Sequence, residues 1–147
     1  MLLGIDPRVT PDLMTCLMQM GHGDELVVVD ANFPAASTAA STTWGEVIHL
    51  PAVTTPEAID IITTLMPLDG FTDACAWRME IDNAPDEMGA VHTQSFAVLD
   101  TAKPDEANLG SIERQGFYRR ANDAFAVVAT SEQRPYGCFI LRKGVVF

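Results

Sequence analysis

Gly21-His22-Gly23-Asp24-Glu25 is the segment of this sequence best suited to proton chemistry. Imidazole gives and takes protons near neutrality without help from its surroundings. The flanking glycines leave His22 without side-chain cover from its neighbours and let the backbone turn sharply. On these residues alone, His22 is either an acid–base group or a turn histidine with no role. His49 and His92 have no comparable setting, one in an apparent strand and the other in an apparent helix. Asp30 closes the apolar run Leu26-Val27-Val28-Val29 and leads into Ala31-Asn32-Phe33-Pro34-Ala35. Ligands of open α/β sheets bind beyond the carboxyl ends of the strands, so a carboxylate there suits a hydroxylated ligand. Turn stabilisation or helix capping is its plainer use. Arg114, just ahead of Phe117-Tyr118, is a ligand-binding guanidinium or a surface charge. Tyr136-Gly137-Cys138 opens the last strand, where alternation puts Tyr136 and Cys138 on one face. Tyr136 there either meets a ligand or packs at the edge of the core.

These residues need elements to hold them. Thr10-Pro11-Asp12 reads as a helix start, with Leu13, Leu17 and Met20 at helical spacing and Gly21 as the stop. Thr55-Pro56-Glu57 is a second start, followed by Ile59, Ile62, Leu65 and Met66 and bounded by Pro67. A third, Ala84-Pro85-Asp86-Glu87, would run to Leu99, and a fourth helix would span Phe117 to Ala124. Between them lie strand candidates: Leu26–Val29, Val47–Leu50, Ala74–Ile81, Ala126–Ala129 and Phe139–Leu141. Continuous rather than alternating apolar runs indicate strands covered on both faces. The expectation is one α/β layered domain over residues 1–147. Its mostly parallel central sheet is flanked by helices, and the last two strands form a C-terminal hairpin through Thr130–Pro135.

Composition removes several functions. Of 147 residues, 48% are apolar and 20% charged, ordinary for a globular protein and wrong for disorder. The formal net charge is −11 with only nine Lys and Arg, which argues against nucleic acid or an anionic membrane as partner. Cys16, Cys75 and Cys138 are odd in number, widely spaced and without a C-x-x-C pair, so they read as reduced thiols rather than a disulfide framework or zinc site. The apolar N-terminal stretch Met1–Ile5 is too short for a signal peptide, and no run approaches the ~20 apolar residues that span a bilayer. The cytoplasm is the expected location. Phosphate-binding glycine loops, metal-ligand clusters and hydrolase triads are absent from the sequence.

In their order, five segments resemble the fucose mutarotase and ribose pyranase family. They are Gly21-His22-Gly23-Asp24-Glu25, Asp30-Ala31-Asn32-Phe33-Pro34-Ala35, Phe117-Tyr118-x-Arg120-Ala121, Tyr136-Gly137 and Lys143-Gly144-Val145. The similarity runs from Gly4 to Val146, with few family marks between Ala36 and Gly110. It is closer to the fucose branch, because the ribose branch usually has Thr where this chain has Gly23 and Ala where it has Gly137.

The resemblance implies that His22 is the proton donor and Asp30 a substrate-binding carboxylate. Arg114 falls on a substrate-binding position at the family's spacing to Tyr136. Tyr136, Gly137 and Cys138 match a substrate segment that is usually Tyr-Gly-Asn, and Cys138 is the departure. The resemblance further implies an isomerase that interconverts the anomers of a free aldose such as L-fucose, with no cofactor and no metal. Its partners would be a monosaccharide and copies of itself, in a decameric ring.

Anomer exchange needs one group to protonate the ring oxygen and another to take the proton of the anomeric hydroxyl. His22 would be the acid, and a water, Tyr136 or Asp30 the base. Rival readings are a non-catalytic sugar-binding accessory of a monosaccharide uptake pathway, which has no need of His22, and a structural ring protein. A thiol enzyme on Cys138 or Cys16 would need a lowered thiol pKa, and no basic residue adjoins either.

Spacing adds one constraint. His22 precedes the first strand and Asp30 ends it, roughly 25 Å apart if the run is straight. Either the chain folds back between Gly23 and Leu26, or one site draws on two neighbouring subunits. The second is expected, given the ring that the resemblance implies.

Overall fold

Thr10 accepts the Leu13 amide at 3.2 Å and Pro11 sits in the first turn, so the first helix begins where its capping residues dictate. The computed structural model describes residues 2–147. Helix α1 (Pro11–Gln19) leads into β1 (Glu25–Val29), α2 (Ala35–Ala39), β2 (Val47–His49), α3 (Thr55–Thr63) and β3 (Ala74–Met79). There follow α4 (Ala90–Ala102), β4 (Asn108–Ile112), α5 (Arg114–Asn122), β5 (Ala126–Ala129) and β6 (Phe139–Arg142).

The six strands form one sheet in the order β2-β5-β1-β6-β3-β4. β1 pairs β5, β2 pairs β5 and β3 pairs β4 in parallel, while β6 runs antiparallel to both β1 and β3. Central β1 explains its own sequence. Leu26 and Val28 pack with Leu13, Ile59, Ile62 and Leu99 of α1, α3 and α4 on one face. Val27 and Val29 pack with Phe33, Phe117 and Ala121 on the other. Leu26, Val27, Val28 and Val29 are fully buried, each contributing about 1.5–3 kcal/mol on the usual scale for such side chains.

The mostly parallel sheet flanked by helices is as expected; the hairpin is not. β5 and β6 take the two opposite edges of β1, and residues 130–138 cross over its carboxyl end between them. Three bonds pin that crossing. Thr130 Oγ1 donates to Val29 O at 2.9 Å, Ala31 N to Glu132 O at 2.8 Å, and Gly137 N to Asp30 Oδ2 at 3.0 Å. Nearness in sequence is not pairing when a third strand offers both partners a buried edge.

Other differences have local causes. The start at Ala84 is spent on turns, Ala84 N to Ile81 O and Glu87 N to Ala84 O, so α4 begins only at Ala90. α3 is capped at Thr54, one residue earlier than expected: Glu57 Oε2 accepts the Thr54 amide at 2.8 Å. α5 starts at Arg114, where Glu113 accepts the Gln115 and Gly116 amides. β4 and the short α2 carry no strong pattern of their own. Tyr136 lies ahead of β6 in a turn, with φ +60°, so strand alternation does not set its direction.

Candidate functional site

Because β6 is antiparallel, its entrance joins the carboxyl ends of the parallel strands at one end of the sheet. A cleft of about 300 Å³ opens there. Asp30 and Phe33 reach it from the end of β1, Met79 and Asp82 from the end of β3, and Arg114 and Tyr118 from the start of α5. Tyr136 and Cys138 close it from the crossing loop. Four of the six residues singled out from sequence thus share one cleft, and a fifth, Gly137, adjoins it through its amide.

Asp30 is the hub. Its Oδ1 accepts the Asn32 and Phe33 amides at 3.0 and 3.1 Å. Its Oδ2 accepts the Gly137 amide at 3.0 Å and the Cys138 thiol at 3.4 Å. The side chain is held at 5% exposure, with nearly all of its acceptor capacity engaged. The carboxylate therefore ties the loop after β1 to the loop before β6. A Cβ on Gly137 would lie 2.9 Å from Glu132 Cγ and 3.2 Å from Arg134 O, so alanine here requires the loop to shift. Burial first, and the Asp30 charge next, push the Cys138 thiol well above its ordinary pKa. Burial likewise pushes Cys16 up to about 12. Neither is poised as a nucleophile, which removes the support for a thiol enzyme.

Arg114 Nε donates to both oxygens of Asp82 at 3.0 Å, and its guanidinium stands 5.8 Å from the Tyr118 ring centre. The Asp82 bond raises the arginine pKa further above its ordinary value. The Asp82 contact is made through Nε alone, so it does not occupy the two Nη groups. Asp82 escaped sequence reading because it sits in a turn with no periodicity, 32 residues before its partner.

His22 stands at the other end of β1. The chain does turn at Gly21–Asp24, with Asp24 N on Gly21 O and Gly23 at φ +87°. That turn leads toward the end of β6, where Gly23 N meets Lys143 O at 2.9 Å, and not back toward Asp30. Asp69 Oδ1 accepts from His22 Nε2 at 3.1 Å, and the Phe71 ring lies edge-on at 5.4 Å. Asp69 is 1% exposed, and burial works against its charge. The Phe71 amide, His22 and Arg142 outweigh that and hold the carboxyl below its ordinary value. A fixed carboxylate on Nε2 orients the imidazole. The His22 side chain remains 45% exposed.

The chain matches the RbsD / FucU transport protein family over residues 3–146. It belongs to that family. A protein of Danio rerio named fucose mutarotase is 40% identical over 99% of this chain and 94% of its own. The fucose mutarotase of Streptococcus pneumoniae, solved with L-fucose, superposes with a TM-score of 0.88 at 36% identity, covering 99% of this chain and all of the other. The RbsD of Bacillus subtilis, solved with D-ribose, shares the fold, with a TM-score of 0.72 at 20% identity and full coverage of both chains.

Behind the cleft of this family member lies a buried polar frame that sequence reading missed. His92 is fully buried on α4, and its Nε2 donates to the Tyr136 carbonyl at 2.9 Å. Thr55 Oγ1 donates to the next carbonyl, that of Gly137, at 2.8 Å. Burial, above all, holds His92 below the ordinary value of 6.5; the Tyr136 carbonyl opposes this and Arg78 adds to it. The unfolded chain thus takes up a proton near pH 6.5 that the folded chain refuses until lower pH. This part of the stability is present above that value and falls away as the pH drops through it. We expect urea midpoints to decline from about pH 7 to pH 5, and His92→Gln to flatten that slope. An identical slope in the variant would assign the acid sensitivity to the carboxylates.

Proposed function

We propose that this protein is a mutarotase that interconverts the anomers of a free, unphosphorylated aldose, L-fucose or a close relative. The observation that carries the reading is the cleft itself. Asp30, Arg114 and Tyr136, which the resemblance implies for substrate, converge there with Cys138, in a chain alike over nearly its full length to proteins named fucose mutarotase. In the reaction the ring oxygen gains a proton, the anomeric hydroxyl loses one, and the C1–O bond to the ring oxygen breaks to give the open aldehyde. Reclosure on the other face returns both protons. No electron leaves the sugar and no cofactor is needed.

His22 supplies the acid from a neighbouring copy of the chain. The support is geometric: within one chain His22 and the cleft lie at opposite ends of β1. The His22 end presents exposed apolar side chains: Phe71, edge-on to the imidazole, is 66% exposed, and Met18, in the last turn of α1, is 78% exposed. We expect a ring-shaped homo-oligomer, a decamer. Light scattering that returns a monomer would remove the shared site. A cytoplasmic location agrees with three unpaired cysteines, and no helix among the described residues is long and apolar enough to cross a membrane.

Magnetisation exchange between anomers, measured by NMR over a panel of pyranoses, tests the activity. Exchange faster than in buffer is expected for at least one sugar; buffer rates throughout would leave a sugar-binding accessory. The same panel addresses Cys138. The usual Asn brings two donors and an acceptor, whereas this thiol is weak in either role and already bonded to Asp30. Cys138→Asn should change kcat/KM for fucose against its competitors by the equivalent of about 1–3 kcal/mol. An unchanged ranking would mean that the backbone makes the contact at this position.

A further inference from the structure

Tyr136 adopts φ +60°, in the left-handed region that residues bearing a Cβ seldom enter. The strain persists only if the surroundings hold it. Two bonds from the α3–α4 layer do so, Thr55 Oγ1 to Gly137 O and His92 Nε2 to Tyr136 O. His92 is the more specific of the two. Its Nδ1 accepts the Gly89 amide at 3.2 Å, and a neutral imidazole has one donor and one acceptor nitrogen. Gly89 therefore makes Nε2 the donor, the polarity that a carbonyl partner requires. Phe139 packs edge-on at 6.0 Å and fixes the ring. The side chain is fully buried and does not line the cleft.

We propose that His92 is a positioning residue for the sugar cleft: it holds the Tyr136 peptide in its left-handed turn and so sets the Tyr136 ring and the Gly137 amide against Asp30. This rests on reading the cleft as the sugar site. His92 touches no reacting atom. Its loss frees the Tyr136 carbonyl, lets the turn relax, and loosens the Gly137 N–H bond to Asp30 on which the cleft's shape depends.

His92→Leu keeps the bulk and removes the donor, whereas His92→Gln restores an amide N–H at the reach of Nε2. For L-fucose exchange, the Leu variant should raise KM about tenfold with kcat within about threefold, and the Gln variant should recover most of that loss. Hydrogen exchange at the Gly137 amide should quicken about tenfold or more in the Leu variant and return in the Gln variant. A Leu variant with wild-type KM and wild-type Gly137 protection would overturn the proposal. So would a Gln variant as impaired as Leu yet as stable as wild type. If the wild-type chain accelerates no sugar, the mutarotase reading fails, and Gly137 protection alone decides the role of His92. If the Leu variant does not fold, imidazole 15N shifts of the wild type decide it: an Nε2-protonated His92 supports the proposal and an Nδ1-protonated one overturns it.

Discussion

His22→Ala is expected to slow anomer exchange by about 10²–10⁴-fold, the usual contribution of one positioned acid–base group. The imidazole meets the chain through Asp69 and the edge of Phe71, and its side chain is nearly half exposed. Asp69 keeps the Phe71 amide at 2.9 Å and Arg142 at 3.2 Å after the change, so it is not left as an unpaired buried charge. The loss in stability should therefore stay within about 1 kcal/mol. The rate falls and the fold stays. A wild-type rate in a variant of wild-type stability would return His22 to the class of turn residues.

Asp30→Ala should fail in the opposite manner, losing fold and function together. Four donors converge on this carboxylate: the amides of Asn32, Phe33 and Gly137, and the thiol of Cys138. Alanine leaves all four without their partner in a largely buried place, and each buried unsatisfied donor costs about 1–3 kcal/mol. Water entering from the cleft would recover part of this, so a loss of about 3 kcal/mol or more is expected in urea unfolding. Exchange activity should fall below detection, because the Tyr136-Gly137 turn loses its anchor. A near-wild-type midpoint would mean that Thr55 and His92 hold the crossing loop unaided.

What could be read in advance followed local chemistry. Thr10-Pro11-Asp12 and the apolar run Leu26–Val29 of β1 declared themselves because capping and two-sided burial act on neighbours in sequence. Asp30, Arg114, Tyr136 and Cys138 were legible as a group only through the family resemblance, and the fold does gather them. The contributions of Asp69, Asp82 and His92 were not. Each acts through a partner far along the chain: 47 residues for His22–Asp69, 32 for Asp82–Arg114, 44 for His92–Tyr136. No spacing rule reaches so far. The expected hairpin failed for a related reason, since the preference of β5 and β6 for opposite edges of β1 is tertiary. Spacing along β1 did anticipate that His22 and Asp30 stand apart, because an extended strand cannot shorten.

The central claim is that one site takes His22 from one copy and its cleft from another. Mixing subunits tests it most directly. His22→Ala and Arg114→Ala chains, each inactive alone, would be dissociated, combined in equal amounts and reassembled, and anomer exchange measured by NMR. Random assembly places an intact His22 against an intact cleft in roughly a quarter of the sites, so roughly a quarter of the wild-type rate should return. A mixture no faster than the two variants measured apart would contradict the shared site.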